Sequence, residues 1–221
     1  MNKPNEPITP DFSAFVPREV GTIVDHQTDL PRIAKDAKAT AAIEACLAQI
    51  PSRHDLYRAD ARELAFLRDE SVHLVVTSPP YWTLKEYRDH DAQMGHIADY
   101  DELPYRSPSL ATRILSVIPA DRHKLWFQQI WTGVTGASTK HHPAPYPLEL
   151  AERLIRMFSF VGDTVLDPFM GTGTTTVAAA RNGRNSVSVE IDDHYFEQAA
   201  KRVERDTKRL FSGATLHLHQ T

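Results

Sequence analysis

Two runs of residues in this chain have types and spacing suited to chemistry. The first is Ser78-Pro79-Pro80-Tyr81, which closes the apolar run 72–77. Ser78 Oγ and the backbone carbonyl of Pro79 are hydrogen-bond acceptors, and the paired prolines stiffen the loop that would hold them outward. Such acceptors suit an amino group on a flat ring. That nitrogen is a poor nucleophile because its lone pair is delocalised, and acceptors that draw on its protons favour the tetrahedral form. Tyr81 adds a ring face on which a base could stack.

The second run is Asp167-Pro168-Phe169-Met170-Gly171-Thr172-Gly173-Thr174-Thr175, which follows Thr164-Val165-Leu166. It reads as a strand, a tight turn and the start of a helix. A helix N-terminus offers free N–H groups and the positive end of a dipole. Gly171 and Gly173 allow a ligand close to the backbone. The next strand ends in Glu190, where a carboxylate could take two ribose hydroxyls. The pattern suits a nucleotide-like cofactor. A plain reading stands beside each motif: proline pairs mark turns generally, and a short glycine turn with a solvated Glu190 needs no ligand. A nicotinamide dinucleotide is a rival cofactor, but its fingerprint wants a third glycine where Thr175 or Thr176 stands.

Taken together, and in this order, the two motifs resemble the catalytic and S-adenosylmethionine loops of the DNA amino-methyltransferases, in the permuted beta class of that family. The resemblance covers roughly residues 54–100 and 126–205. It implies methyl transfer from S-adenosylmethionine to an exocyclic amine of a base flipped out of double-stranded DNA. Ser78, Pro79, Pro80 and Tyr81 would be catalytic. Serine in the first position is commonest among the cytosine-N4 enzymes, with adenine N6 as the alternative. Asp167, Pro168, Phe169, Gly171, Thr172, Gly173, Thr174 and Glu190 would bind the cofactor. His142, Pro143, Pro145 and Tyr146 resemble the family's further cofactor-side motif, and Asp60 falls where the family places an acid near the adenine ring. Methyl transfer to another planar amide remains a rival, although the motif order argues against it.

These residues need elements to hold them. Residues 34–50 carry Ala42, Ile43, Cys46, Leu47 and Ile50 at helical spacing. Strands are expected near 56–59, 72–77, 164–166 and 186–189, the second of them apolar enough to be buried on both faces. Helices are expected over 148–158, with Leu150, Leu154, Ile155 and Phe158 on one face, over 174–182 with Gly183 as the cap, and over 193–210. Alternating strands and helices imply a parallel α/β sheet. The resemblance makes it a Rossmann-like S-adenosylmethionine-dependent methyltransferase sheet, incomplete, with about four of the family's seven strands placed. Residues 1–33 read as a flexible arm. Residues 34–211 read as the domain, with a catalytic part at 54–100, a shortened middle at 101–140 and a cofactor part at 141–211. Residues 212–221 read as a tail. An internal deletion near 103–105 would account for the short middle. It would leave the catalytic strand at a sheet edge, open to a second copy or a partner chain.

Composition sets outer bounds. The chain has 221 residues, 41% of them hydrophobic, enough for one core. A net charge of −4 gives no support for nucleic-acid binding, though a local basic face is compatible with it. The single Cys46 excludes an intrachain disulfide and a cysteine-rich zinc site, and fits a reducing cytoplasm. The 11 histidines show no regular ligand spacing, so no metal site is expected. No apolar run has the length of a membrane span.

Overall fold

The computed structural model describes residues 11–77, 108–131, 133, 134, 136, 146–210 and 213–220. Strand β1 (Ser52–Arg58), β2 (Leu74–Val75), β3 (Thr164–Asp167), β4 (Asn185–Glu190) and β5 (Ala214–Gln220) form a parallel sheet in the order β2-β3-β4-β1-β5. Their carboxyl ends share one edge, and there the chain turns at Asp60, at Asp167 and at Glu190. The α-helices are α1 (His26–Lys35), α2 (Ala37–Leu47), α3 (Leu110–Leu115), α4 (Ala120–Trp126), α5 (Leu148–Phe158), α6 (Thr174–Arg181) and α7 (Asp193–Leu210).

The period-two alternation of the strands sorts their side chains into two layers. On one face, Leu56 packs with Met170, Val177, Phe196, Ala199 and Val203, under α6 and α7. Val165 and Val76 pack there with Ala151, Ile155, Ala178 and Ala179, under α5 and α6. On the other face, Tyr57, Leu166, Val187 and Val189 are covered by Leu64, Phe66 and Leu67 of the turns after β1. The segment after β1 over 59–67 is made of turns and bends. The predicted inward stripe of α5 is rotated: Ala151 and Ile155 are buried, whereas Phe158 is 57% exposed. Gly183 follows α6 at φ 68°, a left-handed position that suits glycine at a helix end.

The sheet has five described strands rather than four. The tail expected at 212–221 contains β5, which pairs with β1 along Ser52↔Ala214 to Arg58↔Gln220. Its Thr215-Leu216-His217-Leu218 alternation is the signal that was overlooked. The expected arm at 1–33 is corrected for its described part. Residues 12–15 and 18–20 form 3-10 turns, α1 follows, and Phe12, Val20 and Ile33 are buried. Phe12 packs with Ile50 and Val161, which precede β1 and β3, so this body sits at the amino edge of the sheet, away from the loops of interest. Strand β2, the one expected to lead to the Ser78 loop, lies at an edge of the sheet among the described residues. Its ladder is only two residues long and Val75 is 48% exposed, so it is not buried on both faces.

Candidate nucleotide-cofactor site

The glycine loop is fixed at every turn. Asp167 ends β3 with its side chain buried, and its Oδ1 accepts from the Phe169 N–H at 3.2 Å. Met170 is buried, and its N–H donates to Val189 O of β4 at 2.9 Å. Gly171 (φ 52°) donates its N–H to Glu190 Oε2 at 2.9 Å. Glu190 Oε1 accepts from the Asp192 N–H at 3.0 Å, so this carboxylate ties the glycine loop to the turn after β4. Gly173 (φ 79°) is the N-cap of α6 and supplies no capping side chain. The first-turn amides of α6 therefore have no side-chain cap among the described residues, an arrangement that suits a polar ligand group.

The two glycines serve different ends. A side chain on Gly173 would meet Val203 Cγ2 at 3.1 Å and Ala199 Cβ at 3.4 Å, so its absence brings α7 close. Arg202 of α7 was not expected at the site. Its Nη1 donates to Thr172 O, Thr172 Oγ1 and Thr174 Oγ1, each at 3.1 Å, and holds the loop from behind. Burial pulls its pKa down. A cation beside the inward-facing Ala199 and Val203 was the available sequence signal.

Between β2, β3 and α6 lies a buried polar cluster. Tyr146, from the expected cofactor-side motif, bonds through its hydroxyl to Thr175 Oγ1, and burial pushes its pKa up, so it stays protonated. Thr175 Oγ1 in turn donates to Val76 O at 3.3 Å. Burial raises the pKa of Asp167, and Glu190 adds to the rise. The Thr175 and Thr77 hydroxyls lie close enough to offset part of it. Even so, Asp167 Oδ2 and Thr77 Oγ1 make no hydrogen bond of ordinary geometry among the described residues.

Asp60 lies two residues beyond β1, at the same edge as Glu190. It is engaged by Arg62 through Nε at 3.1 Å and 3.0 Å and by the Arg62 N–H at 2.9 Å, which holds its pKa down at about 2. It is thus an ionised partner of a local arginine. Phe169 (48% exposed), in the glycine loop, and Ile191 (67% exposed), next after Glu190, leave apolar surface at this edge. The structure brings together Asp167, Pro168, Phe169, Gly171, Thr172, Gly173, Thr174, Glu190 and Tyr146, with Asp60 along the same edge. Ser78, Pro79, Pro80, Tyr81, His142, Pro143 and Pro145 lie outside the described residues, as does the 103–105 junction.

A parallel sheet with a glycine turn between strand and helix, and an acid ending the next strand, defines a nucleotide-cofactor fold of the Rossmann-like class. Comparison with known proteins narrows the class. The N6/N4 family model, described as DNA methylase, matches residues 118–201. TTHA0409 of Thermus thermophilus, named as a putative DNA modification methylase and solved with S-adenosyl-L-methionine, superposes with a TM-score of 0.57 at 30% identity. That likeness covers 75% of this chain and 99% of the other. The type II methyltransferase M.MthZI of Methanothermobacter thermautotrophicus is 46% identical over 90 residues, covering 38% of this chain and 25% of the relative. M.MjaI of Methanocaldococcus jannaschii is 47% identical over 91 residues, or 38% and 29%. This chain belongs to the N6/N4 DNA amino-methyltransferase family. It matches only about a quarter of the length of the curated relatives M.MthZI and M.MjaI, 25% and 29%.

Proposed function

We propose that the chain binds S-adenosylmethionine at the glycine loop and transfers its methyl group to an exocyclic amine of a base in double-stranded DNA, at cytosine N4. The observation that carries this reading is the glycine loop tied by the Gly171 N–H to Glu190, beside the strand that runs to Ser78. The residues present fit the group. The α6 amides have no side-chain cap and Asp167 Oδ2 no hydrogen-bond partner among the described residues, and Phe169 and Ile191 offer apolar surface to a flat ring. Once bound, the cofactor supplies an electrophilic methyl on a sulfonium. Glu190 would take the ribose hydroxyls with the lone pairs its two backbone bonds leave over. Asp167 would take an N–H of the methionine part, and Pro168, Thr172 and Thr174 would shape the loop around it. His142, Pro143, Pro145 and Tyr146 would close the cofactor side, with Asp60 toward the adenine. Ser78 Oγ and the Pro79 carbonyl would accept the amine's protons, Pro80 would fix their aim, and Tyr81 would stack on the flipped base.

A second reading follows from the short segment between the two loops: a non-catalytic remnant that binds cofactor, or a partner chain along the β2 edge. Calorimetric titration with S-adenosylmethionine, run beside transfer of radiolabelled methyl to mixed-sequence DNA, separates them. Binding with N4-methylcytosine in the hydrolysed DNA is the expected result. N6-methyladenine would reassign the target base, and binding without transfer would favour the remnant. No cofactor binding by the native chain would sink the first reading and leave the remnant only a partner chain. Gly171→Val should weaken binding by at least about tenfold, because a branched side chain is strained at positive φ and fills the loop.

A further inference from the structure

We propose that the Thr175 hydroxyl is a positioning group that couples the cofactor loop to the catalytic strand; this rests on the function proposed above. This hydroxyl is bonded on two sides: the Tyr146 hydroxyl bonds to Thr175 Oγ1, and Thr175 Oγ1 donates to Val76 O at 3.3 Å. Thr175 itself is completely buried in the first turn of α6, whose N-terminus is the glycine loop. Val76 lies in the segment of β2 that leads through Thr77 to Ser78, and its own N–H donates to Leu166 O of β3 at 3.0 Å. One side chain therefore links the helix that meets the cofactor to the backbone that aims the amine-binding loop. The neighbouring Asp167 Oδ2 and Thr77 Oγ1 are buried and make no hydrogen bond of ordinary geometry among the described residues, which leaves the junction bonding capacity for a ligand group. A ligand group satisfying Asp167 would settle α6, and through Thr175 the end of β2.

Among the described residues β2 pairs on one side only, with β3, through its ladder and the flanking His73 N–H to Thr164 O and Val76 N–H to Leu166 O bonds, each at 3.0 Å. Its ladder to β3 pairs only Leu74↔Val165 and Val75↔Leu166. The Thr175→Val variant keeps the volume and removes the link; Thr175→Ser restores the hydroxyl. The test pairs calorimetry with hydrogen exchange at the amides of residues 72–77, with and without S-adenosylmethionine. In the native chain, cofactor should slow exchange there. In Thr175→Val, affinity should stay within about threefold while that protection disappears and kcat falls by about tenfold or more. Thr175→Ser should recover both, and a melting curve for each variant checks that the fold persists. Protection retained in Thr175→Val, or affinity lost together with protection, would overturn the coupling. Failure of the native chain to bind cofactor would be read directly in the titration, and would remove the functional reading and this inference together.

Discussion

Asp167 is a carboxyl held where water does not reach, with one oxygen bonded to a loop amide and the other without a hydrogen bond among the described residues. Burial raises its pKa. The folded state therefore holds its proton more tightly than the unfolded chain, and stability falls as pH rises above the ordinary carboxyl value of 3.8. Asp167→Asn removes that cost. It should stabilise the unliganded chain by about 1–2 kcal/mol at neutral pH, with the difference fading below the ordinary carboxyl range. Denaturant melts across pH check this. The same change should lower cofactor affinity, the expected conflict between stability and function at a binding carboxylate. Ser78→Ala tests the other half of the site: methyl transfer should drop on the order of a hundredfold with cofactor binding unchanged, measured by single-turnover transfer and calorimetry. At this scale the sequence was informative where a motif carried the signal, as with Gly171 and Glu190. It was silent where a bond crosses the fold: nothing local to Arg202 shows that its guanidinium reaches Thr172 and Thr174, nothing local to Thr175 that it reaches Val76, and nothing in Asp60 that Arg62 claims it.

Among elements, β1 has the most unusual interior. His54 is fully buried, with Nε2 bonded to Ser52 Oγ at 3.0 Å and Nδ1 to Ser186 Oγ at 2.8 Å. Burial pulls its pKa down to about 4. As pH falls below the ordinary histidine value of 6.5, the unfolded chain takes up a proton that the folded chain refuses. Stability should drop by about 3 kcal/mol between pH 6.5 and pH 4 on this account. Chemical denaturation over that range should show the loss, and His54→Asn should flatten it. The strand itself was legible only in its apolar half, Leu56 to Ala59, because Ser52, His54 and Asp55 do not look like core residues until their partners on β4 and β5 are known. β5 was missed for the same reason. Its His217 and His219 read as polar tail, whereas His219 Nε2 bonds to Asp55 Oδ1 at 2.8 Å and its ring stacks on Tyr57 at 4.2 Å. The rotated face of α5 has a comparable cause: Arg153 and Arg156 are buried against Trp126, at 6.0 Å and 5.3 Å, so two cations take positions that hydrophobicity assigns to leucine.

For the molecule as a whole, strand–helix alternation sufficed to give the parallel α/β class, and the two loops sufficed for the family, because local pattern determines both. Strand order is not local. β1 comes first in the chain yet lies between β4 and β5, with bonds such as Arg53 N–H to Asn185 Oδ1 closing 132 residues and Thr215 Oγ1 to Ser52 O closing 163. By contrast, β3, α6 and β4 follow one another directly and pair as neighbours. That asymmetry governs how the protein is made. Long loops must be closed before β1 is rewarded, so folding should be slow for a chain of this size. The β3–α6–β4 unit should form first and wait with its β4 edge uncovered. Val165→Ala should then slow refolding, whereas Leu56→Ala should chiefly speed unfolding, a contrast that stopped-flow chevrons would read. During the wait, β4 offers Asn185, Ser186 and Ser188 rather than a wholly apolar ladder, which gives a half-folded chain less to stick to than a continuous valine run would.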